Sequence, residues 1–138
     1  MAREAGGLLL GRLVLGTDDI VVDQATIPDG QDRRSRFHFM RALAPAQARV
    51  DLSWTMSGGT TVYLGEWHTH PEDVPHPSWI DERDWRRIVS EAKYEQSHVV
   101  FVIAGRTEIR AFEVDRACRI SGLRAASTPT AATRRQQR

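Results

Sequence analysis

Three prolines within seven residues, Pro71, Pro75 and Pro77, constrain this chain more than any other feature. None of them can donate a backbone hydrogen bond, so neither a central strand nor a helix interior can run through the segment. Thr60 to His70, rich in Thr, Val, Tyr and Trp, reads as a strand that Pro71 ends. Glu72 to Pro77 is then a loop, Ser78 to Gln96 a helix, and His98 to Ala104 a buried strand. Upstream, Gly7 to Val22 reads as two short strands joined by a turn at Gly16–Asp19. Asp29 to Arg36 is an exposed loop and Phe37–Met40 a short strand candidate. A helix is expected over Pro45–Ser57, with Pro45 in its first turn, Val50, Leu52 and Trp54 supplying bulk, and Gly58–Gly59 stopping it. Thr107 to Val114 alternates as a last strand. From Ser121 periodicity is lost, which divides the chain into a folded domain, 1–120, and a disordered tail, 121–138.

At 138 residues the chain suits one domain that folds without a disulfide framework. Nineteen basic residues against 18 acidic ones are too even for a protein whose main task is electrostatic binding to nucleic acid. Eighteen of those 19 are arginine and only Lys93 is lysine, the mark of an arginine-biased genome on a surface that accepts either. The longest apolar run, Val99–Ala104, is far short of the roughly 20 residues of a membrane span. No secretory signal is expected at the start of the chain. A single cysteine, Cys118, cannot form an internal disulfide. A cytoplasmic protein with no membrane or nucleic-acid partner is the expectation.

The chemistry concentrates where the prolines begin. Side chains alternate along a strand, so His68 and His70 point the same way, with Cβ atoms roughly 7 Å apart, and can converge on one ion. The proline loop leads to a helix whose first turn holds Asp81, which supplies an oxygen. Three protein ligands with one open position form a catalytic zinc arrangement, whereas a structural site is closed by four. Asp81, Trp85, Ile88 and Ala92 share one face of a 3.6-residue period, so Asp81 lies on the inward stripe. A lone buried carboxylate there is costly and needs an arginine or a metal as partner.

Plainer readings stand beside this one. Ser78–x–x–Asp81 matches a helix capping box. His68 and His70 could be sheet-face residues, one paired with Glu66. Capping and chemistry are compatible for Ser78, since its backbone and hydroxyl can serve different partners. Hydrolysis also needs a base, for which there are two candidates. Glu66 shares the histidine face but is displaced along the strand. Glu4 precedes the buried run Gly6–Gly11 and could reach across from a neighbouring strand. Geometry favours Glu4 and leaves Glu66 open.

Taken together, these residues carry a family resemblance. His68–x–His70–Pro71, seven residues from Pro71 to Pro77, Ser78, two residues and Asp81, with Glu4 in Glu–x–Gly–Gly–x–Leu–Leu–Gly, resemble the JAMM signature of JAB/MPN zinc metalloproteases. Many of these are deubiquitinase-like isopeptidases. The resemblance covers about Glu4 to Cys118, and Gly65–Pro71 with Pro77–Ser78 is most similar to bacterial JAB proteins, including deconjugating peptidases of CBASS anti-phage operons. It implies one zinc held by His68, His70 and Asp81, Glu4 as general base and proton shuttle, and Ser78 as hydrogen-bond donor to the tetrahedral oxyanion. It also implies an α/β fold: a single mixed, curved sheet flanked by helices in a cytidine-deaminase-like layout. Only Met1, Ala2 and Arg3 precede Glu4, so the usual N-terminal helix is expected to be missing.

The implied activity is hydrolysis of a peptide or isopeptide bond at the C-terminus of a ubiquitin-like modifier. The implied partners are that modifier or its conjugate, and enzymes of the conjugation pathway. The alternatives are trimming of a ubiquitin-like sulfur carrier, or a non-catalytic MPN scaffold that binds no metal. A DNA-repair role gains nothing from the near-neutral charge. Of the remaining residues, Trp67 and Trp85 read as packing, His38 and His98 as ordinary strand residues, and His76 as a solvated loop histidine. Trp79 could grip a peptide, and Arg33, Arg34 and Arg36 form a solvated basic loop. No chemistry is assigned to Cys118.

Overall fold

A computed structural model describes residues 5–27 and 43–126 of the chain. Strands β1 (Gly6–Leu13) and β2 (Ile20–Ala25) form a hairpin, followed by helix α1 (Leu43–Met56) and strand β3 (Val62–Thr69). Helix α2 (Trp79–Glu91) then leads to β4 (His98–Ala104), β5 (Ile109–Asp115) and β6 (Ile120–Leu123). The six strands make one sheet in the order β2-β1-β3-β4-β5-β6. Among the described residues only the β3–β4 pair is parallel, and its crossover is the proline loop plus α2. The expected α/β class and mixed sheet are therefore observed, with β1 as the first described element. No helix among the described residues is long and apolar enough to cross a membrane.

The core explains the layering. Leu8 and Leu10 of β1, Val99, Phe101 and Ile103 of β4 and Val114 of β5 meet Trp85, Ile88 and Val89 of α2. Trp85 stacks on Phe101 with ring centroids 4.8 Å apart, a contact that adds to the burial of both rings. The register between β1 and β3 slips beside Leu64: Leu9 pairs with Gly65 and Leu10 with Tyr63. This bulge brings Tyr63 and Glu66 to one face, where the Tyr63 hydroxyl donates to Glu66 Oε2 at 3.3 Å.

Several boundaries differ from those expected, each for a local reason. Helix α2 stops at Glu91 instead of reaching Gln96, because Ala92 is already extended. Tertiary bonds hold the segment beyond: Gln96 Nε2 donates to the Tyr63 carbonyl, and Arg116 Nη2 to the carbonyls of Tyr94 and Gln96. Helix α1 begins two residues before Pro45, leaving that proline in the first turn as expected. It ends at Gly58 and Gly59, whose φ values of 70° and 90° only glycine adopts freely. Leu52 and Trp54, expected to supply bulk, are mostly exposed, while Val50 packs against the core.

The sheet also extends past the expected domain end. Ile120–Leu123 pairs with Val114–Ala111 as β6, so the sheet takes in residues 121–123 that the loss of periodicity assigns to the tail. Four residues containing a glycine are too short to show an alternating pattern. Residues 127–138, the Asp29–Arg36 loop and the Phe37–Met40 strand candidate lie outside the described residues.

Candidate metal centre

The site sits where the parallel pair diverges. Strand β3 delivers His68, and the chain stays in sheet register one residue further, because the His70 amide donates to the Ala104 carbonyl at 3.0 Å. Pro71 then turns the chain away, and the loop is strapped down. The amides of Arg106, Thr107 and Glu108 donate to the carbonyls of Glu72 and Asp73, and Thr107 Oγ1 adds a bond to Asp73. Gly105 makes this approach possible. A Cβ there would lie 2.6 Å from Pro75 Cδ and 2.7 Å from the Glu72 carbonyl. Pro75 itself is fully buried.

At the far end of the loop Ser78 caps α2 with a complete capping box. Its Oγ accepts from the Asp81 amide at 3.1 Å, and its own amide donates to Asp81 Oδ2 at 2.8 Å. The capping reading of Ser78 and Asp81 is thus realised, and it also aims the carboxylate. Asp81 is 3% exposed, its Oδ2 3.2 Å from His70 Nε2 and its Oδ1 3.5 Å from His68 Nε2. One ligand atom from each of His68, His70 and Asp81 falls within 4.8 Å of the others.

Three observations test whether this cluster fits a cation. His68 Nε2 is buried without a hydrogen-bond partner, an arrangement that an ion would relieve. Each histidine nitrogen lies 3.2–3.5 Å from one or the other Asp81 oxygen, close to the ~3.3 Å that separates two ligand atoms bound at about 2.05 Å to a tetrahedral ion. Two imidazoles and one carboxylate are a donor set of the borderline kind that suits such a metal. Burial alone would push the Asp81 carboxyl up, but the neighbouring His68 and the Ser78 amide outweigh it and hold the group below the usual carboxylate range. Asp81 therefore presents a charged oxygen. The residues fit a bound divalent ion.

Of the two candidate bases, Glu4 lies outside the described residues. The chain just after it is anchored beside the site. Gly6 pairs with His68, the Ala5 amide donates to Thr69 Oγ1, and the Thr69 amide donates to the Ala5 carbonyl. Glu66 is half-buried under the Tyr63 hydroxyl, and burial pushes its carboxyl up to about 8. It does not join the ligand cluster.

Other expectations follow the strand and helix phases. Trp67 turns away from the cluster and donates to the Thr26 carbonyl, while Trp85 lies in the core. His98 sits by Glu113 at a distance of 3.5 Å. His76 is exposed, with Nδ1 on the Val74 carbonyl. Trp79 is 69% exposed at the start of α2, with the Arg83 guanidinium over its ring. Arg33, Arg34 and Arg36 lie outside the described residues. One contact went unanticipated: Glu72 Oε1 lies 2.6 Å from His70 Nδ1. An acid two residues past a ligand was the available signal, and the proline between them hid it.

The fold agrees with what the chain resembles as a whole. Residues 1–117 match the family described as prokaryotic homologs of the JAB domain, and the chain belongs to that family. Among curated relatives, it is 43% identical over 106 residues to a CD-NTase/cGAS isopeptidase of Pseudomonas aeruginosa, covering 77% of this chain and 65% of the relative. It is 39% identical over 109 residues to one of Vibrio cholerae, covering 78% and 65%. A probable metalloprotease of Sinorhizobium fredii is 28% identical over 102 residues, covering 72% and 61%. The chain thus spans somewhat less than two-thirds of these relatives' length. A protein of Desulfitobacterium hafniense solved in solution shares the fold, with a TM-score of 0.58 at 21% identity, over 88% of this chain and 75% of that one.

Proposed function

We propose that this chain is a zinc-dependent isopeptidase domain that hydrolyses the bond after the C-terminus of a ubiquitin-like modifier. The convergence of His68, His70 and Asp81 at the end of β3 and the start of α2 carries the reading. Relatives named as isopeptidases of CD-NTases, and one named as a metalloprotease, support a conjugate as substrate. A place in an anti-phage pathway is part of the reading and rests on the resemblance to deconjugating peptidases of CBASS operons carried by Gly65–Pro71 with Pro77–Ser78. The folded domain is read as 1–120 with β6 appended, and the protein as cytoplasmic.

His68 Nε2, His70 Nε2 and an Asp81 oxygen would hold the ion. Zinc, when bound, lowers the pKa of water to about 7 and polarises a scissile carbonyl. Glu4 would accept the proton of the attacking water at a carboxylate oxygen and deliver it to the leaving nitrogen. The anchoring of Ala5 to Thr69 supports this role, because it brings the chain next to Glu4 alongside the ligand strand. Glu66 is less suited to it, since it stands outside the ligand cluster and its carboxyl, pushed up to about 8 by burial, already carries its proton in most molecules at neutral pH. Ser78, whose Oγ accepts from the Asp81 amide, would donate its hydroxyl hydrogen to the oxyanion. One such donor is worth about 3–4 kcal/mol.

The test is cleavage of a modifier–protein conjugate by zinc-loaded protein. Glu4→Ala is expected to abolish turnover while zinc stays bound. Turnover lost in Glu66→Ala instead would overturn the assignment of the base. A native protein that takes up no zinc would favour a metal-free scaffold.

A further inference from the structure

His70 is gripped from both sides: Nε2 faces Asp81 Oδ2 at 3.2 Å and Nδ1 faces Glu72 Oε1 at 2.6 Å. A carboxylate only accepts hydrogen bonds, so the short contact requires the hydrogen to sit on Nδ1. With a hydrogen on Nδ1, Nε2 is the atom whose lone pair a bound ion would take. The geometry points to Glu72 as a positioning residue that sets the tautomer and plane of His70 for metal binding. This inference rests on the reading of His68, His70 and Asp81 as ligands.

Three features separate this contact from an ordinary surface ion pair, which contributes little. The His70 side chain is 9% exposed, so it has few competing partners in solvent. Both residues are fixed through their backbones to the same edge, the His70 amide on the Ala104 carbonyl and the Glu72 carbonyl on the Arg106 amide. Pro71, between them, locks its own φ, so the two side chains meet without much further loss of freedom. Glu72 is nonetheless 46% exposed and belongs to no core contact. Its removal should therefore spare the fold. An outer carboxylate on a ligating histidine fixes the ring and raises its basicity, and losing such a partner weakens metal affinity by about 10–100-fold.

Zinc affinity, measured by competition with a chromophoric chelator, tests the assignment on the full chain. Glu72→Ala is expected to bind zinc about 10–100-fold more weakly, with the unfolding midpoint of the zinc-free protein unchanged. Glu72→Gln keeps an acceptor for Nδ1–H and should recover most of the loss. Glu82→Ala removes an equal charge from the first turn of α2 and should change affinity by less than about threefold. Nitrogen NMR of the histidine rings gives a readout that a purely structural role would not move. In zinc-free protein, at a pH where the His70 ring is neutral, its hydrogen should sit on Nδ1 in the parent chain and lose that preference in Glu72→Ala. Wild-type affinity in Glu72→Ala, or a hydrogen on Nε2 in the parent, would overturn the role of Glu72 alone. A parent chain that binds no zinc would remove the metal reading itself.

Discussion

The two helices carry tryptophans in opposite surroundings. Trp85 of α2 is 3% exposed and stacked on Phe101, whereas Trp54 of α1 is 54% exposed, with Leu52 and Met56 beside it at 62% and 79%. Helix α2 begins in a complete capping box, with Asp81 and Glu82 in the first turn to favour its dipole, and it buries an unbroken stripe. Helix α1 has no acid in its first turn and touches the core through Val50. The contrast teaches where order is required. Asp81 must hold its place to within a fraction of an ångström to meet two imidazoles, and the helix that carries it is anchored at its start and along its length. Helix α1 carries none of the clustered ligands, and more of its described apolar side chains face solvent.

The largest effect that would sharpen this contrast is on metal content. His68→Ala or Asp81→Ala should take zinc from about one per chain to nearly none, since one ligand of a three-ligand site is gone. Elemental analysis checks it. Next come the tryptophans: Trp85→Ala should cost about 3–5 kcal/mol in denaturant unfolding, and Trp54→Ala under about 1 kcal/mol. Equal losses would break the comparison.

The pH dependence of stability gives a further test on the α2 side. Burial raises Glu66 to about 8 in the folded protein, with the charge of Asp84 on α2 adding to the shift. Between its ordinary value and 8, the folded chain binds one proton more than the unfolded chain, so this group makes stability fall as pH rises through that window. Glu66→Gln retains an acceptor for Tyr63 and should flatten that decline in urea midpoints measured on zinc-free protein. Parallel profiles for the two proteins would refute the shift. Last, Ser78→Ala should cost about 1 kcal/mol through the lost cap, while Leu52→Ser on α1 should lie within about 0.5 kcal/mol of the parent.

What could be read from the sequence follows from how local each signal is. The alternation of His68 and His70, the helical phase of Asp81 with Trp85 and Ile88, and the Ser78 cap depend on spacing within one element, and all three are observed. The end of α2 was misjudged because Gln96 and Arg116 hold the chain through partners more than 20 residues away, which periodicity does not register. Strand β6 was missed because its signal comes from β5 and not from its own four residues. The bulge at Leu64 likewise arises in pairing with β1, so the meeting of Tyr63 and Glu66 had no trace in alternation. The exposure of Leu52 and Trp54 shows the converse, apolar residues at helical positions with little to cover them.

The strap between the proline loop and the β4–β5 turn has one more consequence. With Gly105 seated against Pro75 and the carbonyls of Glu72 and Asp73, the first half of the span joining His70 to Asp81 is tied to the β4–β5 turn when the chain folds. The ordering entropy of that half is then settled during folding and is not charged against ion capture. Uptake should therefore resemble filling a rigid socket, with little heat-capacity change and a rate insensitive to loop length. Replacing Gly105 by a bulkier residue would convert it into a slower, ordering-coupled event.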